Sequence, residues 1–160
     1  ESLEVPRRDD NLLLLQATCA MPLMFPIYRL GGKPYLDGGA AETVPYPRAF
    51  EMGCDRAIVI LTKPRNFVRK AEKLQPLIER KYRQYPNFCQ TMRERAEKYN
   101  ADKEELFELE RQGKVLIFAP DSLHGVGRIE HNVEKLRLLW GEGYQHGVER
   151  MEELESFLGR

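Results

Sequence analysis

The residues best suited to chemistry in this chain are Asp37 and the two glycines that follow it. An ionised aspartate can take a proton from a hydroxyl group when its geometry is right and water is kept away. Gly38 and Gly39 would allow unusual backbone angles there and let other atoms approach closely. Asp-Gly is also a common turn signal of β-hairpins, so a turn without any chemistry is the alternative interpretation.

Two short apolar runs predict the strands of the fold that would position such a site. Residues 57–62 and 114–119 are mostly apolar, show no polar alternation and are each closed by a proline. That pattern is typical of strands buried on both faces, usually in a parallel sheet. A shorter extended segment is expected at 33–36, directly before Asp37.

Apolar residues at helical spacing, with proline or glycine at the ends, predict the helices. Pro22 and Pro26 exclude regular structure around them, after the first helix. The predicted helices span residues 11–18, 45–52, 67–82, 87–112 and 132–158. Asp9 or Asp10 caps the first helix, Gly53 ends the second and Gly113 ends the fourth. The third helix is expected to be interrupted at Pro76, and the last to be kinked near 141–143. The last helix should have one continuous apolar face, formed by Val133, Leu136, Trp140, Tyr144, Gly147, Met151, Leu154 and Leu158.

Strands that alternate with helices in this order predict an α/β layered fold. Ligands of such folds bind outside the carboxyl ends of the strands. Asp37, Thr62 and Asp121 each come just after a predicted strand. They are therefore expected at the functional edge of the sheet if the strands run parallel.

The stretch 16–64 resembles the C-terminal part of patatin-like phospholipases. The matching order is a small-residue segment with Pro22 and Phe25-Pro26, a short strand, Asp-Gly-Gly, Val44-Pro45, a helix ending in glycine and an apolar strand. Segments 95–100, 114–120 and 128–143 resemble the bacterial branch of that family. The resemblance implies an α/β class fold, the C-terminal part of a three-layer α/β/α architecture. Residues 1–160 would form the C-terminal portion of one patatin-like domain, with 65–160 a helix-rich extension containing one further strand.

The resemblance also implies a function. Patatin-like enzymes cleave acyl esters of lipids with a Ser-Asp dyad, a G-x-S-x-G nucleophile elbow and a glycine-rich oxyanion loop. By position, Asp37 would be the dyad aspartate, with Gly38 and Gly39 as the backbone beside it, and no cofactor or metal is expected. Neither G-x-S-x-G nor the oxyanion loop is present, and Ser2, Ser122 and Ser156 lack flanking glycines. The chain is therefore expected to be a C-terminal piece that lacks the nucleophile and is inactive alone.

Other polar residues are weaker candidates. Ser122 lies beside Asp121 and His124, but a triad is recognised by geometry and not by adjacency, and a polar turn after a strand explains all three. His124, His131 and His146 lack the short helical spacing of a metal site.

Charge is distributed unevenly along the chain, although its net value is zero. Residues 63–98 carry 11 basic and 4 acidic side chains, interleaved with Tyr82, Tyr85 and Phe88. This basic block could contact an anionic lipid surface. The alternative is that its aromatic rings pack inward and its charges face water. Zero net charge and the lack of a recognisable motif argue against nucleic-acid binding.

Composition sets the remaining expectations. Three widely spaced cysteines fit a reducing compartment, and no run approaches the roughly 20 apolar residues that span a bilayer. A cytoplasmic protein, peripheral to membrane at most, is expected. The resemblance to patatin-like enzymes implies a lipid or ester as substrate. A non-catalytic interaction or membrane-surface binding domain is the alternative function. A fragment of an α/β fold should expose apolar surface, so self-association is a further expectation.

Overall fold

The computed structural model describes residues 12–127 and 129–159 of the chain, and they form a mixed α/β fold. Helix caps predicted at Asp9 or Asp10 lie outside the described residues. In chain order the elements are α1 (Leu13–Thr18), β1 (Tyr28–Leu30), β2 (Lys33–Tyr35), α2 (Gly38–Ala41), α3 (Tyr46–Glu51), β3 (Ala57–Ile60), α4 (Gln75–Lys81), α5 (Pro86–Arg111), β4 (Val115–Phe118), α6 (Val133–Glu149) and α7 (Met151–Leu158).

The fold divides into two compact units. The first comprises the described residues up to Val44 together with Arg69–Asp102, and the second comprises Pro45–Val68 together with the described residues from Lys103. Each unit has its own pair of strands.

The strands of the first unit form an antiparallel hairpin. β1 pairs with β2 in a register that places Tyr28 opposite Tyr35. Gly31 and Gly32 make the turn with φ of 56° and 80°, a region where glycine has no steric penalty. The extended segment predicted before Asp37 is confirmed, whereas its partner β1 was not predicted from the sequence.

The core of the first unit forms where α4 and α5 bury their apolar faces. Tyr82 is 1% exposed, and its ring meets that of Phe88 edge to face at 5.0 Å between centroids. The Tyr82 hydroxyl accepts a hydrogen bond of 2.9 Å from the backbone N–H of Leu23. Leu36 and Ala40 pack against the same cluster, so the segment between them is held at both ends.

The strands of the second unit are parallel, as their apolar patterns predict. β3 pairs with β4 in a register that places Ala57 opposite Val115 and Ile60 opposite Phe118. β4 is buried, and Ile117 is fully so. The prediction that β3 is buried on both faces is wrong, because Ile58 and Ile60 are 41% and 77% exposed.

The helix predicted over 67–82 is wrong for its first half, since only α4 is helical. The side chain of Asn100 takes up the backbone of the preceding segment: it accepts from the N–H of Arg69 at 2.9 Å and donates to its carbonyl at 3.0 Å. These bonds replace helical ones. Pro76 lies in the first turn of α4, where its missing N–H costs nothing, and so it starts the helix instead of interrupting it.

The C-terminal helix is divided, but not where its glycines predict. Gly141 and Gly143 lie inside α6, and the break comes at Arg150. The Arg150 guanidinium donates to the carbonyl of Ile117 at 2.7 Å and pairs with Glu153, so a tertiary contact and not glycine content sets the break. The other predicted helices are confirmed to within two residues at their ends.

Candidate functional site

Asp37 begins a helix and does not turn a hairpin. It is the N-cap residue of α2 and half-buried, and its side chain makes no capping hydrogen bond. The hairpin turn of this unit is made by Gly31 and Gly32 instead. An Asp-Gly turn therefore does not explain this aspartate, and its carboxylate is not used as a cap.

The backbone around Asp37 is fixed by hydrogen bonds on both sides. Its N–H donates to the carbonyl of Ala20 at 2.9 Å, and its own carbonyl accepts from the N–H of Ala40 at 3.0 Å. Ala20 and Ala40 are both buried. The main chain is thus anchored in the core while the carboxylate remains partly exposed.

Both glycines after Asp37 occupy positions with little room for a side chain. A Cβ on Gly38 would lie 2.6 Å from Oγ1 of Thr18, and a Cβ on Gly39 would lie 3.0 Å from Oδ1 of Asp37. Neither glycine has a positive φ, so the close approach of the Thr18 and Asp37 side chains is what favours glycine here. Any side chain at position 39 would press on the carboxylate itself.

Arg95 of α5 holds the second glycine in place. Its Nε and Nη2 both donate to the carbonyl of Gly39, at 3.0 and 2.6 Å. The hydroxyl of Thr43 donates to the same carbonyl at 3.2 Å. Sequence reasoning did not assign Arg95 a role at the site, because no local pattern shows which carbonyl a helical arginine reaches.

A small cavity of about 200 Å³ lies beside this cluster, between α2 and α5. Arg95, Lys98, Tyr99 and Asp102 line it. Lys98 forms an ion pair of 2.6 Å with Asp102, and burial raises the pKa of the Tyr99 phenol above its ordinary value. The positive charge of Lys98 is thus neutralised by Asp102, another residue that lines the same cavity.

A second and larger cavity lies in the other unit, at the carboxyl ends of β3 and β4. It has a volume of about 570 Å³, and both Thr62 and Asp121 line it, as predicted for residues that follow parallel strands. That argument does not apply to Asp37, because β2 belongs to an antiparallel hairpin.

The polar residues of this second cavity are engaged with one another. Ser122 Oγ accepts a hydrogen bond of 3.1 Å from the backbone N–H of His124, and His124 Nε2 lies 2.7 Å from a carboxylate oxygen of Glu142. His124 has a φ of 49°. These contacts form the polar turn that the sequence predicts. Within the described ranges no cluster of His, Cys, Asp or Glu could hold a metal ion.

The basic block is organised by packing and ion pairs. Tyr82 is buried and Tyr85 and Phe88 are half-buried, as the inward-packing alternative predicts. Arg93 forms an ion pair of 2.6 Å with Glu79, whose pKa is lowered by hydrogen bonds from Gln75 and Arg93. Lipid contact through residues 63–98 would therefore use exposed charges and the exposed side chains of Val68, Leu74 and Leu77, and not these aromatic rings.

Part of the chain matches a known protein family. Residues 85–159 match a family described as a domain of unknown function (DUF6363). The match runs from just before α5 to just after α7, which is less than half of the chain. No curated protein matches the sequence. Among the described residues, no helix is long and apolar enough to cross a membrane.

Proposed function

We propose that this chain is the C-terminal portion of a patatin-like lipid acyl hydrolase with a three-layer α/β/α fold. One observation carries the proposal: a half-buried aspartate lies on an anchored backbone, next to two closely approached glycines, and its carboxylate makes no capping hydrogen bond. A merely structural Asp-Gly-Gly segment would use the carboxylate as a cap or in a turn. A location in the cytoplasm, at most peripheral to membrane, belongs to the same proposal.

In this proposal Asp37 acts as the base of a Ser-Asp dyad. The serine hydroxyl, supplied by a part of the protein outside these 160 residues, attacks the ester carbonyl and its proton passes to the Asp37 carboxylate. The same proton then goes to the leaving alcohol. Water repeats the sequence on the acyl-enzyme and releases the fatty acid.

Arg95 acts in this scheme as a positioning residue. By holding the carbonyl of Gly39, it fixes the turn of chain that carries the Asp37 carboxylate. A bidentate guanidinium contact is suited to this task because its planar fork restricts direction as well as distance. Reaction geometry is sensitive to displacements of about 1 Å.

The test compares this chain with a longer natural form that contains the upstream sequence. Hydrolysis of a short-chain aryl ester and of a phospholipid is measured for both. The expected result is turnover by the longer form and none by residues 1–160. A longer form that folds, lacks G-x-S-x-G and binds liposomes in a salt-sensitive way without hydrolysing them would favour the non-catalytic, membrane-surface alternative.

A further inference from the structure

The outward side of α4 in the first unit exposes two leucines. Leu74 and Leu77 are 52% and 49% exposed, whereas Ile78 and Tyr82, on the inward side of the same helix, are buried in the core cluster. The N–H of Leu77 donates to the carbonyl of Leu74 at 3.0 Å, so the two leucines follow each other at helical spacing. The packing of the inward side therefore holds both leucines toward solvent.

Basic side chains surround this pair of leucines. Arg80 and Lys81 lie three and four positions after Leu77, so they are its neighbours on the helix surface. Lys73 lies in the turn that directly precedes α4, and all three cations are exposed. We call these five residues the α4 patch, which comprises Lys73, Leu74, Leu77, Arg80 and Lys81.

The charges of the α4 patch are not neutralised within the described part of the chain. None of its three cations forms an ion pair with another described residue. The ammonium of Lys81 lies 5.5 Å from the centroid of the Tyr82 ring, a contact that leaves its charge in place. Of the acidic residues in the same stretch, Glu79 is paired with Arg93 at 2.6 Å and Glu72 is half-buried. The patch is therefore a local positive surface on a chain whose net charge is zero.

We propose that the α4 patch docks on an anionic lipid surface. Its two leucines enter the boundary between headgroups and acyl chains, and its three cations remain level with the lipid phosphates. A nucleic acid fits the patch less well, because proteins bind its bases by stacking on aromatic rings. The aromatic rings of this segment pack inward, with Tyr82 buried and Tyr85 and Phe88 half-buried.

The composition of the patch predicts reversible and salt-dependent binding. Each cation near an anionic membrane strengthens binding about fivefold, so the three together contribute about 10²-fold. Salt screens exposed charges over about 10 Å at 0.1 M, and this contribution therefore falls as salt is added. Because the chain has no net charge, the attraction is expected to come from the patch and not from the protein as a whole.

Vesicle binding by the 160-residue chain is the first test. Co-sedimentation is measured with vesicles of phosphatidylcholine that contain phosphatidylserine, and with vesicles of phosphatidylcholine alone. The bound fraction should be larger on the vesicles with phosphatidylserine and should fall as salt is added. No binding at low salt, or equal binding to the two kinds of vesicle, overturns the proposal.

Two exposed arginines provide a matched test of the charges. Arg80 lies in the α4 patch and Arg137 on α6, and replacing either by glutamine changes the net charge of the chain equally. Arg80→Gln should weaken binding to the anionic vesicles about fivefold, whereas Arg137→Gln should leave it unchanged. Circular dichroism establishes that both variants fold. An equal effect of the two substitutions would assign binding to overall charge and contradict the proposal.

Two leucines of equal exposure test the apolar contribution and separate a lipid from a nucleic acid. Leu138 of α6 is 50% exposed, close to the value for Leu77, but its helical neighbours include Glu134 and Glu142. Leu77→Gln should weaken binding to the anionic vesicles about tenfold, and Leu138→Gln should not weaken it. If Leu77→Gln has no effect and the chain binds duplex DNA as tightly as it binds the vesicles, the patch recognises a polyanion and not a lipid.

A fluorophore at position 77 tests insertion directly. The exposed Cys19 and Cys54 are replaced by serine, the buried Cys89 is kept, and an environment-sensitive dye is attached to Leu77→Cys or to Leu138→Cys. Anionic vesicles should shift the emission at position 77 to shorter wavelength and leave that at position 138 unchanged. Vesicle binding without a shift at position 77 overturns the proposal. None of these measurements involves hydrolysis, so they succeed or fail independently of the proposed function.

Discussion

The two polar clusters of this protein are built in opposite ways. Around Asp37 the backbone is anchored by hydrogen bonds and packing, and the carboxylate is left unused as a cap. At the strand ends of the other unit, Ser122 and Glu142 are already engaged with His124, and all three are exposed. Reactive residue types are more numerous in the second cluster. The first has the rigid support that a catalytic group needs.

The largest expected effect is that of Asp37→Asn in the longer form of the protein. The amide keeps the shape of the side chain but cannot accept the serine proton, so the rate of ester hydrolysis should fall about 10²- to 10⁴-fold. Asp121→Asn, at the other cluster, is the matched control and should leave the rate unchanged. If Asp121→Asn lowered the rate and Asp37→Asn did not, the catalytic role would belong to the second cluster.

Gly39→Ala should have the next largest effect on the same rate. The added methyl group would lie 3.0 Å from Oδ1 of Asp37 and displace the carboxylate, which is expected to cost up to about 10²-fold in kcat/KM. Gly143→Ala, at a position with open space, is the control. Unchanged activity in a folded Gly39→Ala variant would show that the carboxylate position does not matter.

Arg95→Met should lower stability through the first unit. It removes both hydrogen bonds to the Gly39 carbonyl, and bonds from a charged donor contribute about 1.5–3 kcal/mol to the free energy of unfolding. His124→Gln, on an exposed turn, should change it by no more than about 0.5 kcal/mol. Urea unfolding measures both. A larger loss from His124→Gln would mean that the second cluster is the better anchored.

Two glycine substitutions should change stability with opposite signs. Gly38→Ala places a methyl group 2.6 Å from Thr18 Oγ1 and should destabilise by about 1 kcal/mol. Gly141→Ala lies in α6 with open space and should stabilise by about 1 kcal/mol, the helix propensity difference. Adding Thr18→Ala should restore the stability lost in Gly38→Ala. No recovery in the double variant would exclude the Thr18 contact as the cause.

Tyr99 gives the smallest predicted effect, in the dependence of stability on pH. Burial raises the pKa of its phenol above the ordinary value of 10.0. The folded state therefore holds this proton more tightly than the unfolded state does. The resulting contribution of Tyr99 to the free energy of unfolding is complete below pH 10 and is lost as pH rises through the pKa of the folded state. Tyr99→Phe should flatten the alkaline limb of the unfolding free energy. If the free energy of unfolding of Tyr99→Phe fell as steeply with alkaline pH as that of the unsubstituted protein, other titrating groups would be the cause.

Much of the fold could be predicted where local pattern and tertiary environment agree. β4 is continuous in apolar residues and buried, and α5 ends at a glycine as expected. The failures have tertiary causes. Asn100 takes the backbone bonds of Arg69, the Arg150 guanidinium reaches the Ile117 carbonyl, and one face of β3 is left largely exposed at Ile60. Such long-range partners have no local signature.

The sequence was enough to pick out the central residue of the candidate site, but not the residues that hold it in place. Asp37 and its glycines stand out in the sequence, but Arg95 and Thr18 come from distant helices. Their roles depend on which carbonyl or Cβ position each one reaches. The helical spacing of Trp140 and Tyr144 is visible in the sequence, whereas their exposure is visible only in the structure.

Labelling by a fluorophosphonate, read by intact mass, tests the central claim most directly. The reagent is applied to residues 1–160, to the longer natural form and to its Asp37→Asn variant. No adduct is expected on residues 1–160, one adduct on the longer form, and much slower formation of that adduct in the Asp37→Asn variant. An adduct on the 160-residue chain, or equal labelling rates with and without the Asp37 carboxylate, would contradict it.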